Sequence, residues 1–198
     1  SSALIVERPF RSPHHTITDT ALVGGGTNPH PGEISLAHNG VLFLDELPEY
    51  KRSALEVMRQ PLEDRHITVA RTKETVDYPA SFMLVAAMNP CPCGHYGENN
   101  PAHPCTCTPA QVHRYMSKIS GPLLDRIDIQ CEIEAVPYDQ LRDTQPGESS
   151  AVMRERVLKA RAVQNERFKH SRLVHCNAMM NAKMVRQYCA LDAECDKL

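Results

Sequence analysis

Two acids and an amide stand where chemistry is to be expected. Asp45 and Glu46 follow directly on Val41-Leu42-Phe43-Leu44, and Asn89 ends a second apolar run that begins at Ser81. Runs without a polar face read as strands covered on both sides of a parallel sheet, where ligands sit at the carboxyl ends of the strands. An Asp in that position can hold magnesium through its shell of waters. The next acid can polarise an attacking water, the arrangement of a Walker B element. The plainer alternative is a buried strand followed by a solvated acidic turn.

A second cluster follows Asn89. Cys91 and Cys93 form one C-x-C pair and Cys105 and Cys107 another, separated by a loop that holds His95 and His103 as substitute ligands. Four thiolates on one loop make a tetrahedral sulfur site, with zinc the expected ion and an iron-sulfur cluster the alternative. Four sulfurs leave no open position, so the expected metal is structural. Against it stands the reading of four unlinked thiols. His14 and His15 are neighbours that cannot share one face of a strand or helix, and read as hydrogen-bonded loop residues.

The elements that must position these groups are legible from spacing. Gly24-Gly25-Gly26 is followed by no lysine, so it reads as a flexible loop and not a GxxxxGK[ST] phosphate cradle. Glu33–His38 is a short helix stopped by Asn39-Gly40. Ser53-Ala54-Leu55-Glu56 matches a capping box that opens an amphipathic helix through Leu55, Met58 and Leu62. His66–Arg71 and Thr75–Tyr78 read as a hairpin about the turn Thr72-Lys73-Glu74, which leaves Arg71 and Lys73 near its tip, available to phosphates or merely solvated. Thr108-Pro109-Ala110-Gln111 starts a helix with Val112, Tyr115, Met116 and Ile119 on its apolar face, ended by Gly121-Pro122. Ile127–Ile133 alternates as an edge or half-buried strand, with Arg126 fixed just before it.

Residues 137–150 read as a linker. Beyond them Ala151–His170 is a helix with Met153, Val157, Ala160 and Val163 on one side, and Arg154–Arg172 carries seven Lys or Arg against two Glu. Such a helix can grip DNA or nucleotide phosphates, although a solvated face explains the same charges. The last stretch, through Tyr188 and Leu191, reads as helical.

With 198 residues, 41% of them hydrophobic and 23% charged, the chain has the composition of a globular α/β protein. A net charge of -2 excludes a uniformly basic nucleic-acid coat. No apolar stretch is long enough to span a bilayer and no signal pattern opens the chain, so a cytoplasmic location is expected. The eight cysteines then read as thiols or ligands, and the lack of Trp argues against aromatic base-stacking platforms.

The order of these signals looks like the middle and end of an AAA+ ATPase core. Arg8-Pro9-Phe10-Arg11-Ser12-Pro13-His14-His15-Thr16, Pro31-Gly32-Glu33-Ile34-Ser35-Leu36-Ala37-His38, Ala86-Ala87-Met88-Asn89-Pro90-Cys91-Pro92-Cys93-Gly94 and Gly121-Pro122-Leu123-Leu124-Asp125-Arg126-Ile127-Asp128 resemble the magnesium-chelatase-like family of ComM/YifB type. The resemblance implies an α/β fold, a partial AAA+ P-loop-type three-layer core with a mostly parallel sheet and an incomplete helical lid. Its expected division is a core at 1–136, the linker at 137–150 and lid residues at 151–198. By resemblance Asp45 and Glu46 are Walker B, with Asp45 on the magnesium of Mg-ATP. Asn89 is then the sensor that positions the lytic water, and Arg126 the arginine finger reaching a neighbour's γ-phosphate in a homo-hexamer. The hairpin is similar to the pre-sensor insertion. The implied activity is ATP-driven remodelling, of DNA by likeness to ComM, with porphyrin metallation as the alternative substrate and a metal-stabilised assembly module as the non-catalytic reading. Without a Walker A motif, the chain alone is expected to bind ATP poorly, and its sheet to lack a central strand.

Overall fold

The computed structural model describes residues 7–26, 29–70, 75–98, 103–133, 136, 147–191 and 194–195. Outside them lie the turn carrying Arg71 and Lys73 and most of the expected linker, 137–146. The chain divides into two units, Ser1–Ala135 and Val136–Leu198.

The first unit is a mixed α/β assembly about a parallel sheet. Strands β1 (Phe10–Arg11), β4 (Val41–Leu44) and β7 (Met83–Ala86) lie side by side in the order β1-β4-β7. The register pairs Phe10 with Val41 and Leu44 with Ala86, so all three strands run toward one edge. Gly40 makes the approach of β1 possible: a Cβ there would stand 1.9 Å from the Pro9 carbonyl oxygen.

Alternation decides which face is buried. Leu42 and Leu44 are 0% exposed and enter a core with Leu22, Ile34, Leu55, Met58, Ile67 and Leu123. On the opposite face Phe10 is 65% and Met83 59% exposed, and Val41 and Phe43 are only half-buried. The reading of both apolar runs as strands covered on two sides is therefore corrected. Among the described residues one face is packed by helices, the other is open, and β7 is an edge strand. The half-buried strand expected at Ile127–Ile133 likewise forms no ladder among the described residues, and Ile129 and Ile133 are 80% and 88% exposed. Alternation supplies a strand with side chains for two faces, but its N–H and C=O groups still need a neighbour.

The helices of this unit obey local capping chemistry. Thr18 caps α1 (Asp19–Val23) by accepting from the Ala21 amide, a helix that was not anticipated. Helix α2 (Glu33–Leu36) is followed by Asn39 at φ 61, as the Asn-Gly stop requires. The capping box expected at Ser53 is not used. Helix α3 (Arg52–Val57) is capped at Lys51 without a side-chain bond, and Glu56 accepts from Arg59 at 3.0 Å instead of reaching back. A second segment, α4 (Arg59–Asp64), continues from Met58, because Pro61 has no N–H to give the Val57 carbonyl. The hairpin forms as expected from β5 (His66–Ala70) and β6 (Thr75–Pro79), antiparallel with Ile67 opposite Tyr78. The glycine loop is more ordered than a flexible loop: β2 (Gly24–Gly25) pairs antiparallel with β3 (His30–Pro31), and both glycines are buried. Thr108 and Gln111 complete the capping box of α5 (Pro109–Met116), and α6 (Gly121–Leu124) follows.

The second unit is helical. Ser149 caps α7 (Ser150–Phe168), so the expected linker already supplies the helix start. Met153, Val157, Ala160 and Val163 are all exposed on it. Asn181 caps α8 (Ala182–Tyr188), and the Phe168 ring meets Tyr188 edge-on at 6.0 Å. No described helix is long and apolar enough to cross a membrane.

Candidate functional site

The acidic turn is built by three backbone constraints. Strand β4 ends at Leu44, whose carbonyl accepts from the Ala87 amide at 3.0 Å. The Leu47 amide returns to the Ala87 carbonyl at 3.0 Å. Between these bonds Asp45 and Glu46 are turned out to solvent, Glu46 in the left-handed region at φ 53 with its amide donating to Asp45 Oδ1 at 2.9 Å. A non-glycine residue there carries strain of about 1–2 kcal/mol that surrounding bonds must hold.

Asn89 leaves the neighbouring strand two residues after Ala87 and is exposed. The parallel register thus brings Asp45, Glu46 and Asn89 to one edge. Arg126 does not join them: its guanidinium donates to Glu63 and to the Pro122 carbonyl, while its buried Nε has no hydrogen-bond partner.

His15 was missed as a member of this site. Its Nδ1 lies 3.1 Å from Glu46 Oε2, its ring meets that of His14 in a tilted contact at 4.0 Å, and Tyr50 meets it edge-on at 6.3 Å. The Tyr50 hydroxyl donates to the Pro13 carbonyl at 2.5 Å, which ties this segment to the acidic turn. Burial first, then the nearby Asp45 and Glu46 charges, push the Tyr50 phenol up to about 12. The only sequence signal for His15 was its place in the Arg8–Thr16 stretch of the resemblance, because facing rules addressed a shared metal and not a carboxylate partner.

The four cysteines come together. Cys91 Sγ lies 3.3 Å from Cys93 Sγ and 3.8 Å from Cys105 Sγ, Cys93 and Cys105 are 3.6 Å apart, and all four sulfurs including Cys107 lie within 4.8 Å of one another. A tetrahedron of sulfurs about 2.3 Å from zinc has edges of about 3.8 Å. The spacing therefore fits a single ion. A multi-iron cluster distributes its cysteines over separate irons and needs them farther apart.

Backbone amides complete the site. Those of His95 and Thr106 hold the Cys93 thiol down to about 5, whereas burial pushes Cys107 up to about 12. Amide donors aimed at sulfur are the support that metal thiolates use, and a divalent cation would hold all four as thiolates. His95 is not among these sulfurs' neighbours as a ligand: its Nδ1 lies 2.9 Å from Glu98 Oε2, and its ring stacks on His103 at 5.6 Å.

Fold and site together define an α/β protein whose parallel strands carry acids and an amide to one edge, with a sulfur cluster directly after the amide. The family described as magnesium chelatase, subunit ChlI, matches residues 1–141, and its C-terminal family matches residues 147–198. The chain belongs to the magnesium chelatase subunit ChlI family. It is 51% identical over 189 residues to YifB of Escherichia coli K12, covering 95% of this chain and 36% of that protein. To the competence protein ComM of Haemophilus influenzae it is 49% identical over 188 residues, covering 94% of this chain and 35% of ComM. The Mycobacterium tuberculosis protein Rv2897c is 45% identical over 169 residues, 84% of this chain and 32% of that protein. The chain thus spans about a third of the length of the curated relatives it matches. Among solved structures, NtrX from Brucella abortus in complex with ADP aligns with a TM-score of 0.44 at 15% identity, over 84% of this chain and 32% of that one.

Proposed function

We propose that this chain carries the catalytic edge of an AAA+ ATP hydrolase, which in the intact protein drives the remodelling of DNA. The observation that carries the reading is the pairing of β4 with β7, which sets Asp45 and Glu46 beside the exit toward Asn89. The membership in the magnesium chelatase family supports it. Asp45 holds the magnesium of Mg-ATP through water, Glu46 takes up the polarising role toward the attacking water, and Asn89 orients that water. Arg126 serves a nucleotide held by a neighbouring subunit of a homo-hexamer, which accords with its position apart from the acids of its own chain. The likeness to ComM supports DNA over a porphyrin as the object of the work, and a cytoplasmic location goes with that reading. The cysteine site holds zinc as a structural ion. That site also favours a second reading, a metal-stabilised assembly module without chemistry of its own.

The test is Glu46→Gln in the intact protein, with nucleotide binding and turnover measured separately. Binding is retained and hydrolysis is lost if Glu46 polarises the water. Undiminished turnover removes the assignment and leaves the assembly module.

A further inference from the structure

The sulfur cluster is placed where it can act on the acid edge. Its first ligand, Cys91, is 0% exposed and is separated from Asn89 by Pro90 alone. Its last, Cys107, directly precedes Thr108, the residue that caps α5. Helix α5 is in turn fixed along its length. Val112 and Tyr115 are buried, Ile119 beyond its end enters the main core, and Lys118 Nζ lies 3.3 Å from Glu49 Oε1 in the turn that follows Asp45 and Glu46.

Upstream, the position of Asn89 is set by the β4–β7 ladder, whose last bonds are made at Ala87. Downstream, among the described residues before α5, the sulfur contacts tie Cys91 and Cys93 to Cys105, beside the local His95–Glu98 pair and the His95–His103 ring stack. An ion binding Cys91, Cys93, Cys105 and Cys107 would close this segment and reduce its conformational freedom.

We propose that the cysteine site is a clamp for Asn89: the four sulfurs and their ion fix the exit of β7 against α5, and thereby hold the amide in register with Asp45 and Glu46. The inference rests on the reading of Asn89 as the group that orients the attacking water. Cys91, Cys93, Cys105 and Cys107 are positioning residues in this scheme, acting through Asn89. Metal loading then governs the hydrolytic step and leaves nucleotide affinity nearly unchanged.

The experiment inserts one glycine between Pro90 and Cys91 in the intact protein, which keeps all four ligands but lengthens the tether. Zinc content, melting temperature, KM and kcat are measured alongside Cys107→Ser and Glu46→Gln. The insertion is expected to keep its zinc and its melting temperature, to leave KM within about twofold, and to lower kcat by about tenfold or more, the scale on which misplacing a supporting group acts. Hydrogen exchange at residues 87–93 in the present chain supplies a readout without turnover: it accelerates in the insertion variant and in Cys107→Ser. A zinc-loaded insertion variant with the parental kcat and parental exchange overturns the clamp, and so does parental protein that binds no zinc. Failure of the hydrolase reading is distinct, since it appears as turnover surviving in Glu46→Gln.

Discussion

Glu46 Oε2 and His15 Nδ1 lie 3.1 Å apart, joining the acid at the end of β4 to the loop that leaves β1. Each residue follows one of two neighbouring parallel strands, His15 after β1 and Glu46 after β4, so the β1–β4 pairing brings their segments to the same edge. Glu46→Gln removes the charge while keeping the shape, and is expected to shift the His15 ring nitrogen resonances in an NMR spectrum of the chain. Unmoved His15 signals would show that the contact is not maintained in solution.

Tyr50 supplies a pH dependence with a definite sign. Its phenol is raised from 10.0 to about 12 by burial and by Asp45 and Glu46. The folded state therefore keeps a proton that the unfolded chain releases. This contribution to stability is complete below pH 10 and is lost as pH rises toward about 12. Melting curves should show a fall in stability across that window that is smaller in Tyr50→Phe. The same variant should lose about 1 kcal/mol at neutral pH, through the hydrogen bond to Pro13.

Much of this was legible from local patterns because local chemistry sets it. The Thr108–Gln111 capping box, the hairpin at 66–79 and the delivery of Asp45 by a strand all follow from residues within a few positions of one another. Burial did not, because it depends on which elements arrive from elsewhere. Val41–Leu44 reads as a strand covered on both sides, yet among the described residues no element packs on its Val41 and Phe43 face closely enough to bury them fully. The alternation at 127–133 is equally clear and finds no ladder. His15 escaped for a related reason: its partner lies thirty-one positions away, across a strand pairing. The four cysteines were found because a metal site needs its ligand types and a loop to gather them, and both lie in one short segment.

Gly40 tests the packing of the sheet that carries the acids. The Val41 amide donates to the Pro9 carbonyl at 2.9 Å and the Met83 amide to the Gly40 carbonyl at 3.0 Å, so β1, β4 and β7 all meet at this residue. A Cβ would strike Pro9 backbone, which cannot swing aside as a long side chain can. Gly40→Ala should therefore cost about 1–3 kcal/mol in denaturant unfolding, the usual range for overpacking. A variant of parental stability would mean that β1 is free to move off β4.

The spacing of the sulfurs makes the choice between a single ion and a multi-iron cluster a matter of geometry. Distances of 3.3, 3.6 and 3.8 Å between thiols are those of ligands on one tetrahedral centre. Elemental analysis of the purified chain should therefore find about one zinc per molecule, and the visible spectrum should lack the absorbance of an iron-sulfur cluster. Because ligand deprotonation and loop closure are linked to binding, a strong chelator should lower the melting temperature of the first unit and leave the helices at 150–188 unaffected, a difference that circular dichroism and hydrogen exchange can separate. An iron-sulfur cluster in place of zinc would require the four sulfurs to spread beyond the distances found here. No metal at all, with unchanged melting on chelation, would reduce them to packed thiols and leave Asn89 held by the β4–β7 ladder alone.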